Sequence, residues 1–230
     1  MSDQIKEMFG RVATRYDLAN HVLSWGMHHR WRRRAVALAE AATGMAVCDC
    51  ASGTGDLALE FRRAVGPQGR VIGTDFCKPM IALAVPKATR NNLPVAYTVA
   101  DVLTLPFAND AFDVSCIAFG IRNVDDPARG LIEMARVVRP GGKVVVLEFG
   151  QPDGPLFGPL YRWYARRIMP AVGGWLSGRR SSYSYLSDSA AAFPSGSAFI
   201  DLMRQTGAFR AVKSEPLTGK VAYVYVGEVV

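Results

Sequence analysis

The chain has 230 residues, half of them hydrophobic, which is enough to bury one substantial core and fits a single α/β domain with decorations. Glycine and proline are near ordinary usage, which excludes collagen-like and low-complexity classes, and no apolar run is long enough to span a bilayer. A formal charge of +7 would serve nucleic acid, an anionic membrane surface or plain solubility, and does not choose among them.

The first seven residues are mixed in charge, which does not read as a signal peptide. A helical preface is expected over roughly Gln4–Ala42. Strands are then predicted at Met45–Cys50, Arg70–Asp75, Val95–Asp101, Phe112–Phe119 and Lys143–Phe149, as short, near-continuous apolar runs suited to a sheet covered on both faces. Helical patterns fall between them at Asp56–Val65, Pro79–Arg90 and Pro127–Val138. Pro86 is expected to kink or end the second of these, and Arg139-Pro140-Gly141-Gly142 reads as a stop and turn before the fifth strand. An aromatic, arginine-bearing segment follows at Pro155–Arg180, then a helix near Ser197–Thr206 and two more strands, Phe209–Leu217 and Lys220–Val229, that suit a hairpin. Alternating strands and helices imply βαβ units. The expected fold is α/β, a doubly wound, mostly parallel seven-stranded sheet. Cys48, Cys50, Cys77 and Cys116 lie in apolar stretches without Cys-x-x-Cys spacing, which reads as reduced, buried thiols in a cytoplasmic chain.

The most informative stretch is Val47–Ala58: a strand ending in Asp49, a small-residue loop Ala51-Ser52-Gly53-Thr54-Gly55, then a helix. Glycine there allows a sharp turn and close approach to a ligand at the carboxyl edge of the sheet. Gly53-x-Gly55-x-x-Ala58 also satisfies a dinucleotide fingerprint, a weak signal alone. Asp75, at the end of the second predicted strand, can accept hydrogen bonds from ribose hydroxyls of either cofactor. Asp49 would attract a cationic amino group and repel a pyrophosphate. Asp101, ending the third predicted strand, can take a hydrogen bond from an adenine amino group while Val102 contacts the ring. Three acids at three consecutive strand ends suit a cationic, phosphate-free nucleoside, S-adenosyl-L-methionine, and hence a Rossmann-like class I methyltransferase.

The sequence resembles the ubiquinone/menaquinone-biosynthesis C-methyltransferases (UbiE/MenG type) over nearly its whole length. The resemblance rests on Met8-Phe9 through Arg15-Tyr16-Asp17-x-x-Asn20, Ser24-x-Gly26 and Trp31-Arg32; on Asp49-x-Ala51-x-Gly53-Thr54-Gly55-Asp56-Leu57; and on Leu105-Pro106-Phe107 and Phe119-Gly120-Ile121-Arg122-Asn123-Val124. Pro140-Gly141-Gly142 to Leu147-Glu148-Phe149, Tyr183-x-Tyr185-Leu186, Ser189 and Phe193-Pro194 add to it. It implies methylation of a ring carbon of a reduced, prenylated quinol such as demethylmenaquinol, or the ubiquinone-pathway benzoquinol, at a membrane surface. Other small-molecule C- or O-methyltransferases are the alternative. The chain then divides into a helical extension or lid (1–42), a cofactor-binding core (43–150) and an acceptor-side segment with the final strands (151–230).

For the acceptor, Arg122 and Asn123 are expected to leave the fourth strand at the cofactor edge, Arg122 stabilising a phenolate and Asn123 orienting a quinol oxygen or water. An ion pair fixing the loop is the alternative role for Arg122. Asp17, His21, a water held by Arg122, or Tyr183 in a relay are candidate proton acceptors, and Tyr16, Asp17 and Asn20 belong to the expected lid. His28 and His29 read as surface residues, and no metal site is expected. Tyr161, Trp163, Tyr164, Ile168, Met169 and Trp175, interleaved with arginines, suit transient, peripheral contact with the inner face of the cytoplasmic membrane. A homodimer is left open. Nucleic acid is not an expected partner: the run His29–Arg34 is basic, but no Asn/Asp-Pro-Pro-aromatic turn follows the fourth strand.

Overall fold

The computed structural model of the protein describes residues 17–18, 21–155, 157–168, 171, 185 and 188–230. After helix α1 (Met27–Leu38), strands and helices alternate: β1 (Ala46–Cys50), α2 (Asp56–Val65), β2 (Arg70–Asp75), α3 (Lys78–Arg90), β3 (Ala96–Val99), β4 (Phe112–Ala118), a 3₁₀ turn (Ile121–Asn123), α4 (Pro127–Arg136) and β5 (Val138–Phe149). Helix α5 (Phe157–Trp163) runs into a π-helical turn (Tyr164–Ile168), and α6 (Ser197–Gln205), β6 (Phe209–Leu217) and β7 (Ala222–Val229) follow.

The seven strands form one sheet in the order β3-β2-β1-β4-β5-β7-β6. The first five are parallel, whereas β7 inserts antiparallel between β5 and β6, pairing Lys143 with Glu228 through Phe149 with Ala222. The expected fold is therefore present, with an order that the sequence could not supply. Alternation along the strands sends Val47, Cys116, Val145 and Leu147 to one face, under Trp31 and Ala35 of α1 and Leu57, Ala58, Phe61 and Val65 of α2. Cys48, Ile117, Val144 and Val146 face the other side, under Leu131 and Met134 of α4 and Phe199 and Met203 of α6. Helix α4 starts cleanly because Pro127 opens it and the Asp126 carboxylate accepts the Arg129 N–H at 3.0 Å. All four cysteines are buried and outside any disulfide, with Cys48 and Cys50 sulfurs 3.7 Å apart.

Two local expectations differ from the structure. Helix α3 continues to Arg90 and does not end at Pro86. That residue lies on the exposed face, so the Ala82 carbonyl that loses its partner can turn to water. The Arg139–Gly142 segment is not a turn but the start of β5, where a bulge opposite Asp113 absorbs the extra residues and Gly141 takes a φ of 77°. Among the described residues no helix is long and apolar enough to cross a membrane.

Candidate active site

The carboxyl ends of β1, β2 and β4 meet at two adjoining hollows that share Ala51, Gly53, Ala118 and Phe119. The first holds Asp49, Ser52 and Arg32. Asp49 is fully buried; its Oδ1 receives a weak hydrogen bond from the Cys116 thiol at 3.5 Å, while Oδ2 has no partner. Burial raises its carboxyl to about 7. Ser52 Oγ is likewise buried and unpartnered. Arg32 Nη1 lies 3.1 Å from Asp56 but out of line for a hydrogen bond, so it too keeps a donor in reserve. A buried carboxylate, a hydroxyl and a guanidinium without full partners in one hollow fit the ammonium and carboxylate of a bound amino acid.

The second hollow is lined by Asp75, Phe76, Met80 and Asn123. Asp75 ends β2 and ties down the loop: Oδ2 accepts the Gly53 N–H and Oδ1 the Cys77 N–H, each at 2.8 Å. Burial lifts its carboxyl to about 6, against the pull of those two N–H groups. Each oxygen retains a second lone pair for a ribose hydroxyl. Gly55 has a φ of 85°, and a Cβ there would sit 2.2 Å from the Tyr97 hydroxyl, so no other residue fits the loop.

Across the first hollow, Thr54 Oγ1 donates to Asp17 at 2.6 Å, and Lys87 Nζ reaches Asp17 at 2.6 Å, Asp56 at 2.5 Å and Thr54 at 3.1 Å. Asp17 is thus fastened to the Thr54 loop through a shared lysine.

Beyond Phe119 lies an apolar cavity of about 250 Å³, walled by Leu23, Trp31, Phe119, Phe149, Tyr161 and Val221, with Arg122 as its charged member beside Arg32. Arg122 is almost wholly buried. Its Nη1 donates to the Phe119 carbonyl at 2.5 Å and to Glu148 at 2.8 Å, its Nε reaches Ser189 at 3.4 Å, and the guanidinium stacks 5.2 Å from the Phe149 ring centre. Glu148 is buried with Oε2 unpartnered. Burial raises its carboxyl, opposed by the Arg122 charge. Asn123 Oδ1 accepts the Tyr185 hydroxyl at 3.1 Å. Leu18, Val22, Trp25, Phe157, Leu160 and Trp163 are large apolar residues exposed to solvent, and two of them, Trp25 and Phe157, also line the cavity.

Residues 1–228 match the family model described as the ubiE/COQ5 methyltransferase family. The chain belongs to that family. It is 50% identical over 98% of its length, and 95% of the relative's, to a protein of Bdellovibrio bacteriovorus named ubiquinone/menaquinone biosynthesis C-methyltransferase UbiE. It is 45% identical over 96% of its length, and 99% of the relative's, to the demethylmenaquinone methyltransferase of Thermus thermophilus. A solved S-adenosylmethionine-dependent methyltransferase of Thermotoga maritima shares the fold at a TM-score of 0.68 and 19% identity, covering 96% of this chain and 98% of that one. The protein is a methyltransferase that uses S-adenosylmethionine, acting in quinone biosynthesis.

In this UbiE-type enzyme Asp49, Gly53 and Asp75 line the two hollows, and Thr54 lines the first. Asp101 stands just beyond β3, where the Ala100 N–H bonds the Asp75 carbonyl at 3.2 Å, but its own Oδ1 accepts the Leu103 N–H at 3.0 Å. Val102 is not at the cleft: its side chain is spent in the core beside α4. Asp17 is placed away from the acceptor cavity, because Thr54 and Lys87 hold it at the cofactor loop. Arg122 makes the ion pair that was its alternative role, and it also lines the apolar cavity. Asn123 faces the ribose-side hollow rather than the acceptor cavity. Tyr16, Asn20, Tyr183 and the Met169 and Trp175 positions lie outside the described residues. His28 is not a surface residue: it is buried, and burial followed by the Arg32 charge lowers it to about 3, with His29 lowered for the same reasons. Arg32, Glu148, Tyr185 and Lys87 were not singled out as site residues. Arg32 was hidden in a basic run, and Glu148 in an apolar strand where a lone acid is itself the signal.

Proposed function

We propose that this methyltransferase alkylates a ring carbon of a reduced, prenylated quinone precursor such as demethylmenaquinol or the ubiquinone-pathway benzoquinol. The observation that carries the reading is the apolar cavity with the buried Arg122 guanidinium, paired to Glu148, in its wall, adjoining the cofactor cleft at Phe119. An aromatic ring and the start of a prenyl tail match its lining, and the relatives are named for that chemistry.

S-adenosylmethionine supplies an already activated methyl on a sulfonium. What remains for the protein is alignment, exclusion of water and activation of the ring. Asp49 and Arg32 hold the two ends of the methionine moiety, Asp75 the ribose, and Asp101 the adenine. Gly53, Thr54 and Gly55 give the backbone its close approach. The ring carbon becomes nucleophilic as a neighbouring hydroxyl loses its proton to a water held by Arg122, which stabilises the resulting oxyanion; after methyl transfer the methylated carbon gives up its own proton to water and the ring regains its aromaticity. Among the described residues Arg122 Nη2 keeps no partner, so it is the nitrogen left for a quinol oxygen. Asn123, held by Tyr185, sets the wall between cofactor and ring. The Asp17–Thr54–Lys87 fastening keeps Asp17 at the cofactor loop.

The exposed Trp25 and Phe157 of the cavity lining, with the exposed Leu160 and Trp163 on the helix that carries Phe157, support a transient, peripheral encounter with the membrane that dissolves the tail. The test is incubation with isotopically labelled cofactor and candidate quinones in vesicles, read by mass spectrometry. Labelled methyl should appear in the quinol under reductant. Equal methylation of the strictly oxidised quinone would overturn the mechanism.

A further inference from the structure

Beside the apolar cavity, whose lining includes His28, the rings of His21, His28 and His29 each offer a nitrogen, and the three nitrogens all lie within 4.8 Å of one another. We propose that these imidazoles are a binding site for one divalent transition-metal ion of the zinc class, a function separate from cofactor and quinol binding. Three nitrogens around a tetrahedral ion at the usual 2.0–2.1 Å would stand about 3.3 Å apart. The Nε2 atoms of His28 and His29 are already 3.1 Å apart, with ring centres at 3.9 Å. Small rotations of His21 complete the set.

The backbone is shaped to make this approach. Neighbouring residues on a helix normally diverge, and His21 belongs to an earlier turn. Trp25 and Gly26 are both left-handed, at φ 51° and 71°, and the Gly26 N–H bonds the His21 carbonyl at 2.9 Å. This tight turn doubles the chain back so that the His21 ring rests over Gly26, where a Cβ would meet its Cε1 at 3.4 Å. A second observation points to a ligand rather than to chance packing. His28 Nδ1 lies 3.1 Å from the Ser24 hydroxyl. When Nδ1–H donates there, Nε2 carries the lone pair and is aimed at the common point, the orienting bond usual for metal-binding histidine.

The donor set chooses the metal. Three neutral nitrogens with no carboxylate among them suit zinc, copper, nickel or cobalt and do not suit magnesium or calcium. Three protein ligands leave a fourth position open. His28 also lines the acceptor cavity, so that position is beside the bound acceptor. The ion would also clamp the segment carrying His21 to the start of α1.

Titration of the full chain with Co²⁺, followed by visible absorption, and with Zn²⁺, followed by calorimetry, tests this. The expected result is one equivalent bound with a nitrogen-ligand spectrum. His21→Gln and His29→Gln, both at exposed rings, should each weaken binding by more than tenfold, and Ser24→Ala by about 10–100-fold. Circular dichroism and melting of the metal-free variants would show that they fold. Absence of saturable binding, binding unchanged in the two histidine variants, or a near-ultraviolet thiolate band from the cysteines would each overturn the proposal.

Discussion

Removing Arg122 separates its chemistry from its structural work. The Arg122→Ala variant leaves Glu148 buried with its charge unmatched. That carboxyl escapes by taking up a proton, and for a group with an ordinary value near 4.3 this costs about 3–4 kcal/mol at pH 7. Breaking buried pairs in other proteins costs about 3–5 kcal/mol, which agrees. At this chain length each kcal/mol moves the melting temperature by roughly 2–4 °C, so a fall of about 6–16 °C is expected. The deficit has a pH signature. In the variant the folded protein binds Glu148's proton more tightly than the unfolded chain, so stability falls as pH rises above about 4.3, and the gap to the parent protein should narrow between pH 7.5 and 5.5. Adding Glu148→Gln to Arg122→Ala removes the stranded charge and should restore most of the melting temperature. Turnover on the quinol should stay down by about 10²–10³, the loss typical of one oxyanion donor. Differential scanning calorimetry and steady-state turnover on the same three proteins check both halves. A double variant that recovers full turnover would remove Arg122 from the chemistry, and a single variant with an unchanged melting temperature would refute the buried-pair argument.

Asp49 holds the cofactor's ammonium only when ionised, and its carboxyl sits near 7, so cofactor affinity in calorimetric titrations should rise from pH 6 to 8. Asp49→Asn should flatten that dependence and weaken binding throughout; a parent protein with pH-independent affinity would contradict the assignment. Asp75→Ala should cost about 1–3 kcal/mol of cofactor binding, with S-adenosylmethionine and its demethylated product affected alike. Lys87→Met should release the Asp17 fastening and raise KM for the cofactor several-fold, equivalent to roughly 1 kcal/mol, while the rate at saturation changes little.

The sheet and the cofactor loop were legible because local pattern decides them. Apolar runs with both faces covered mark β1, β2, β4 and β5, and the Gly53–Gly55 spacing between a strand and a helix leaves few conformations open. What could not be read was everything set by long-range approach. Asp17 and Lys87 are 70 residues apart in the chain, and nothing near either announces the other. Val102 looks like a ring contact from its place after Asp101, yet α4 takes its side chain into the core. Pro86 misleads for the opposite reason, since a residue that forbids a hydrogen bond is tolerated where water can replace it. His28 reads as a surface residue in the sequence, and the left-handed pair at Trp25 and Gly26, which folds three imidazoles together, leaves only a glycine as its sequence trace.

The insertion of β7 between β5 and β6 has a consequence for synthesis. The strand that joins β6 to the rest of the sheet is translated last of the seven, about 80 residues after the β5 edge it must cover. Until Ala222–Val229 clears the ribosome, β5 presents a bare ladder of amides and carbonyls flanked by valines, the template for wrong pairing with another nascent chain. A stop codon or proteolytic nick anywhere in the acceptor-side segment therefore removes an interior strand rather than fraying an edge. Such a fragment should require chaperone capture or be degraded, even though every residue of its cofactor loop has already been made.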